Sequence, residues 1–118
     1  MITGGTEGIG RAHAEILANK WKFNLVIVSN DDAGLKKMKK DFEGSQSQIH
    51  TIKADLCSSD PKVAQKVWQE ASEKDIGILM NNVGLNNYER FHEKSAAQIL
   101  KEANLTIFPN IYLTKLAL

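Results

Sequence analysis

What this chain has little of limits what it can be. It holds one cysteine, Cys57, so no internal disulfide can form, and no set of Cys and His residues has metal-ligand spacing. A reducing compartment is the expectation. No apolar run approaches the roughly 20 residues that a membrane-spanning helix needs, and Met1-Ile2 ahead of the first glycine-rich stretch is too short for a signal peptide. The chain therefore reads as soluble, or as cut from something anchored elsewhere. Neither sign of charge dominates. Lys and Arg total 15 against 14 Asp and Glu, a formal net charge of +1, which gives no electrostatic reason to expect nucleic acid or an anionic membrane as partner. Internal repeats and low-complexity stretches are absent.

What is present is patterned. At 118 residues, 42% hydrophobic and 25% charged, the chain has the size of one α/β domain or of a piece of a larger one. Short, β-rich apolar runs at 25–28, 49–52 and 76–80 alternate with longer segments of helical spacing. Strands alternating with helices predict a parallel sheet covered on both faces. The spacing predicts a first helix over 8–20 with Ile9, Ala12, Ile16 and Leu17 on one apolar face. A second helix is predicted over 33–42, with Leu35, Met38 and Phe42 inward and Gly44 as its stop. Lys36, Lys37, Lys39 and Lys40 share that segment with Asp32, Asp41 and Glu43, the pattern of a solvated face.

Two caps mark the later helices. Ser59-Asp-Pro-Lys62 places a polar cap before Pro61, whose fixed φ suits a first helical turn; Val63, Val67 and Ala71 supply the buried stripe, with Trp68 beside them. Ser95-Ala-Ala-Gln98 is a capping box, opening a last helix with Ile99, Leu100, Ala103, Ile107, Ile111 and Leu118 as apolar positions. Pro109 should kink or end that helix, because it removes a backbone donor. The sum is four strands and four helices. Only Met1, Ile2 and Thr3 stand for the first strand, where a buried strand normally has about five or six residues. Both ends of the chain therefore look cut.

The glycines give the first hint of function. In Thr3-Gly-Gly-Thr-Glu-Gly-Ile-Gly10 a strand must turn sharply into a helix, the backbone must approach a ligand closely, and the helix must pack tightly on the sheet; each step excludes a Cβ. Free N–H groups and the positive end of the helix dipole then suit a pyrophosphate. Other strand ends agree. Ser29-Asn30, Asp55-Leu56 and Asn81-Asn-Val-Gly84 each follow an apolar run directly, which puts them on the carboxyl edge of a parallel sheet, where ligands bind.

These stretches together resemble the short-chain dehydrogenases/reductases. Thr3-Gly-Gly-Thr-Glu-Gly-Ile-Gly10 is similar to the family's TGxxxGIG cofactor turn, Asp55-Leu56 to its adenine-contacting pair, Asn81-Asn82-Val83-Gly84 to its NNAG motif, and Asn104 to the helix asparagine that completes its active site. The run at 76–84, with Val83 in place of Ala, most resembles the branch of hydroxysteroid dehydrogenases and very-long-chain 3-oxoacyl-CoA reductases. The resemblance implies a Rossmann-like, doubly wound parallel sheet, of which 1–118 would be the N-terminal part, about four strands with flanking helices. It implies hydride transfer between a nicotinamide dinucleotide and a carbonyl or alcohol on a lipid-like substrate. Cofactor contacts would fall to Gly4, Gly5, Thr6, Glu7, Gly8, Ile9, Gly10, Asn30, Asp55, Leu56, Asn82, Val83 and Gly84, and Asn104 would be the one catalytic residue present; no metal is implied. The family's chemistry also needs a Ser, and a Tyr with a Lys four residues on. Tyr88 has His92 at that position, and Tyr112 and Lys115 are three apart.

The subfamily resemblance favours NADP, with NAD as the alternative. Asn30 stands where NADP-using members often place Arg, no carboxylate occupies the position of Ser29, and Asp31 and Asp32 would oppose a phosphate if they turned inward. The full-length parent is expected to be cytoplasmic or associated with the endoplasmic reticulum, and to form homo-oligomers like many relatives. Other residues have plainer readings. His13, His50 and His92 read as surface or helix-face residues, Cys57 as a small packed residue, and Trp21 and Trp68 as packing residues. Asn81 is expected to tie the fourth strand to a neighbouring backbone. Two alternatives stand beside the enzyme: a relative that binds a dinucleotide without turning over, and an interaction protein using an uncovered fourth-strand edge.

Overall fold

The apolar run with the most β-branched residues forms β2 (Leu25–Ser29), which is buried along its whole length. In the computed structural model, which describes residues 1–85 and 87–118, β2 lies between β1 (Ile2–Thr3) and β3 (Ile49–Lys53) in a parallel sheet. Ile2 pairs with Ile27, and Leu25 with Ile49. Parallel neighbours need crossovers, here supplied by α1 (Gly8–Asn19), α2 (Asp32–Asp41) and α3 (Pro61–Ser72), with α4 (Ala96–Ala117) closing the described chain. Alternation along β2 splits the core. Leu25 and Ile27 face Ala14 and Ala18 of α1 and Leu35 and Met38 of α2, whereas Val26 and Val28 share the other cluster with Ala64, Val67 and Ala71 of α3 and Leu113 of α4. The sheet is therefore covered on both faces, as a doubly wound arrangement requires.

Local signals set the helix starts. Asp60 Oδ1 accepts the amide of Lys62 at 2.9 Å with Pro61 in the first turn, and the Ser95/Gln98 capping box closes in both directions, at 2.8 and 3.3 Å. Gly44 follows α2 with a φ of +78°, as the stop signal predicts. Leu35, Met38 and Phe42 are buried, and the four lysines of α2 are solvated.

Several expectations need correction. The run 76–80 forms no strand: it lies along the outer side of β1 through a single parallel bridge from Ile2 to Met80, with Met80 N donating to Met1 O at 2.8 Å and Thr3 N to Met80 O at 3.1 Å. β1 has two residues, and a ladder cannot outrun its shorter partner. The first strand does sit between β2 and the 76–80 run, where a doubly wound sheet puts it.

The face of α1 is the second correction. Gly10, Ala14 and Ala18 are buried, while Ala12 is exposed and Ile9 and Ile16 are 71% and 52% exposed. The glycine turn holds the helix so near the sheet that hydrogen and methyl side chains lie directly beneath it, with Leu17 packed at the margin of the same cluster. In α3, Ala64 is buried and Val63 half-buried, a small rotation of the expected stripe.

In α4 the inward residues are Leu105, Pro109, Tyr112, Leu113 and Leu116, while Leu100, Ile107, Ile111 and Leu118 are exposed. Apolar residues run nearly all round this helix, so the sequence marks no face, and docking on α3 selects one. Pro109 does not end it. The helix continues to Ala117, and Asn110 Nδ2 donates to Thr106 O at 2.7 Å beside the missing donor. Trp21, expected to pack, is 60% exposed with the Lys20 ammonium over its ring, whereas Trp68 packs in the core as expected. Among the described residues no helix is long and apolar enough to cross a membrane.

Candidate functional site

The carboxyl edge of the sheet is held together by a buried hydroxyl and one side-chain amide. Thr3, fully buried at the end of β1, accepts through Oγ1 the amides of Asn82 and Val83, each at 3.0 Å, and donates toward Met80 O at 3.4 Å. Asn82 Nδ2 returns two bonds, to Thr3 O and Gly4 O, at 3.0 Å each. Asn82, rather than Asn81, thus ties this strip to the neighbouring backbone. Asn81 points the other way and donates to Thr114 Oγ1 on α4 at 2.9 Å, as alternation in an extended chain requires.

Gly4 has a φ of +64°, and a Cβ on it would sit 3.0 Å from Val83 Cα. A Cβ on Gly10 would strike Gly4 O and the Asn82 amide. The start of α1, the glycine turn and residues 82–83 therefore meet backbone to backbone, and no side chain can be added at that junction without parting them. Glu7, the residue before α1, makes no side-chain cap. The first amides of α1 stay open to an anionic group.

This junction floors a cleft of about 400 Å³. Gly4, Thr6, Glu7, Ile9, Asn30, Asp55, Leu56, Asn82, Val83 and Gly84 all line it. Gly5, Gly8 and Gly10 do not: a Cβ on Gly5 would lie 2.9 Å from Ile27 Cγ2, Gly8 opens the helix at a φ of +53°, and Gly10 belongs to the junction beneath. Their work is shaping the turn. The loop after β3 is also fixed, Asp55 Oδ1 accepting the amide of Cys57 at 2.9 Å. A larger cleft of about 640 Å³ opens at the amino end of the sheet, beside His50 and Ile76, and contains no residue of the glycine turn or the strand tips.

Several lining residues escaped sequence reading as site members, Cys57, Lys101 and Leu105 among them. Lys101 and Leu105, four apart on α4, form the far wall, and Cys57 lies beside them with its thiol on Lys101 O at 3.5 Å. Their i,i+4 spacing was the available signal, but nothing in the sequence oriented α4.

The family model described as short chain dehydrogenase matches residues 1–118. The chain belongs to the short-chain dehydrogenase family. A candidate steroid dehydrogenase, number 3, of Caenorhabditis elegans is 33% identical over 120 residues, covering 99% of this chain and 38% of that protein. The very-long-chain 3-oxoacyl-CoA reductase let-767 of the same organism is 31% identical over 109 residues, 90% of this chain and 34% of that one. Among solved structures, a short-chain dehydrogenase from Sphingobium yanoikuyae in complex with NADPH superimposes with a TM-score of 0.82 at 28% identity, over 98% of this chain and 44% of its own. The chain thus spans between about a third and two-fifths of the curated relatives named here.

Within this short-chain dehydrogenase fold, Asn104 is half-buried on α4 next to Leu105 and does not itself line the cleft. Tyr112 is committed elsewhere, its hydroxyl donating to Ser59 O at 3.1 Å. His13 bonds Ile9 O at 3.0 Å, and His50 and His92 lie 3.4 and 3.8 Å from Glu70 and Glu93. None of the three histidines lines the cleft.

Proposed function

We propose that this chain is the dinucleotide-binding part of a short-chain oxidoreductase that moves hydride between a nicotinamide cofactor and a carbonyl or alcohol of a steroid or fatty acyl substrate. The observation that carries the reading is the backbone junction of Gly4, Gly10 and Asn82 beneath a cleft whose other walls are the tips of β2 and β3. It offers uncapped helix amides and Cβ-free surface where a pyrophosphate needs both, so the residues present fit the group. The names of the relatives in the steroid and 3-oxoacyl-CoA branch support the substrate class.

When bound, the nicotinamide supplies the hydride chemistry. The residues of this chain bind and orient: the amides of α1 face the phosphates, and Asp55 and Leu56 flank the base. Val83 and Gly84 line the path toward the reacting end, and Asn104 supports the active site from α4. Proton transfer falls to a Ser together with a Tyr-x-x-x-Lys, and these 118 residues contain no Tyr with a Lys four residues on; a Tyr of ordinary pKa is a poor base at neutral pH without that cation. The proposal therefore makes this chain inactive by itself and active in a longer parent.

Isothermal titration calorimetry of the chain with NADH and NADPH tests the reading. Saturable heat in the micromolar to submillimolar range is expected, with no ketone reduction. Silence at millimolar concentrations of both cofactors removes it, and turnover by the 118-residue chain removes the assignment of the chemistry to absent residues. The missing Tyr–Lys pair also favours a second reading, a protein that binds dinucleotide and never turns over. It is separated from the first by assaying the full-length transcript product.

A further inference from the structure

Resting on the dinucleotide reading of the cleft, we propose that Lys101 of α4 is the counter-charge of the site: its ammonium offsets the repulsion that the cleft's own carboxylates impose on the phosphates of a dinucleotide. The lining is acidic. Glu7, Asp31 and Asp55 all border the cleft, and Lys101 is the one cation among the described residues that does. A doubly charged pyrophosphate therefore meets like charge on its way to the amides of α1, with Lys101 as the only full positive charge in the walls.

The other cations near the strand tips are engaged. Arg11, on the first turn of α1, is held by Glu15 at 2.8 Å and Asp41 at 2.6 Å. Lys36 and Lys53 attend Asp32 at 2.6 and 3.6 Å. Lys94 is bound to Glu102 at 2.7 Å, so the acid next to Lys101 in the chain is already taken. Among the described residues Lys101 has no ion-pair partner.

The turn that carries Lys101 is tied to the loop after β3. Asp55 Oδ1 accepts the amide of Cys57 at 2.9 Å, and the Cys57 thiol donates to Lys101 O at 3.5 Å. Farther along α4 the Tyr112 hydroxyl donates to Ser59 O at 3.1 Å. These bonds hold α4 against residues 55–59, and Leu105, one turn beyond Lys101, borders the same cleft. The backbone of Lys101 is thus placed while its four-carbon stem stays free to bring the ammonium toward the ligand's charge. At about 7 Å across a solvated cleft, one ammonium acting on a doubly charged pyrophosphate corresponds to about fivefold to tenfold in affinity at low salt, and screening at high salt reduces this to about twofold or less.

Calorimetry with NADH tests the role on the unaltered chain, on Lys101→Met, which keeps the stem and a good helix former and removes the charge, and on Lys101→Arg, which keeps the charge. Each is measured at about 20 mM and about 500 mM salt. At low salt the Met variant should bind about fivefold to tenfold more weakly and the Arg variant within about twofold of the unaltered chain; at high salt all three should agree within about twofold. Circular dichroism confirms that each variant is folded. An unchanged affinity in Lys101→Met, a loss equally large at both salt concentrations, or an equal loss in Lys101→Arg overturns the counter-charge role while leaving dinucleotide binding intact. No binding of NADH by the unaltered chain overturns the dinucleotide reading itself, and this inference with it.

Discussion

Replacing Thr3 by Val keeps the shape of a fully buried residue and deletes one oxygen. That oxygen accepts the amides of Asn82 and Val83, both at 3.0 Å, in the strip that frames the cleft. The Val variant strands two part-buried N–H groups. Each unsatisfied donor costs about 1–3 kcal/mol, so partial solvent access brings the expected loss to about 2–4 kcal/mol. Thr3→Ser is the control: it keeps the hydroxyl and removes a methyl, worth about 1 kcal/mol. Urea unfolding followed by circular dichroism reads the difference directly. With a slope near 2 kcal/mol per molar for a chain of this size, Val should lower the midpoint by about 1–2 M and Ser by about 0.5 M. Cofactor affinity should fall with Val more than with Ser, because residues 82–84 lose their anchor to β1. If Ser destabilises as much as Val, the packing of the methyl and not the hydroxyl holds the junction, and the account of the site's construction is wrong.

Two further outcomes test the fold. Leu113→Ala should lose about 2–5 kcal/mol in the same assay, while Ile107→Ala should stay within about 0.5 kcal/mol, since only the first faces α3; equal losses would mean that α4 is docked on another face. The Glu102 carboxyl is held below its ordinary range by its hydrogen bonds to the Lys94 ammonium, at 2.7 and 2.8 Å. A depressed folded-state value adds stability above the unfolded-state pKa and loses it as pH falls through the folded-state value. Glu102→Gln should therefore flatten the decline in stability below about pH 4.5, and superimposable acid titrations of the two proteins would refute the pairing.

Much of the fold was legible because its signals are local. The capping box of Ser95 and Gln98, the Asp60-Pro61 start, the stop at Gly44 and the β-branched run of β2 each depend on neighbours in sequence, and each appears where those neighbours put it. The same holds for most of the cleft. A glycine turn after one strand and polar tips after two others must gather on one edge of a parallel sheet, whatever the details of packing.

What remained hidden depends on partners far along the chain. Ile9 and Ile16 are more apolar than Gly10 and Ala14, yet the smaller residues are buried, because the Gly4–Gly10 contact fixes how near α1 lies to the sheet. Which of two adjacent asparagines grips Thr3, which of two adjacent aspartates enters the cleft, and which side of an all-round apolar α4 meets α3 are likewise matters of orientation. By itself the sequence determined most of the element order, the parallel sheet and the edge on which the cleft opens, since periodicity, capping and glycine are local physics. The tertiary structure alone decided which face each element turns inward, because that choice is made by steric fit between segments that the chain brings together only on folding.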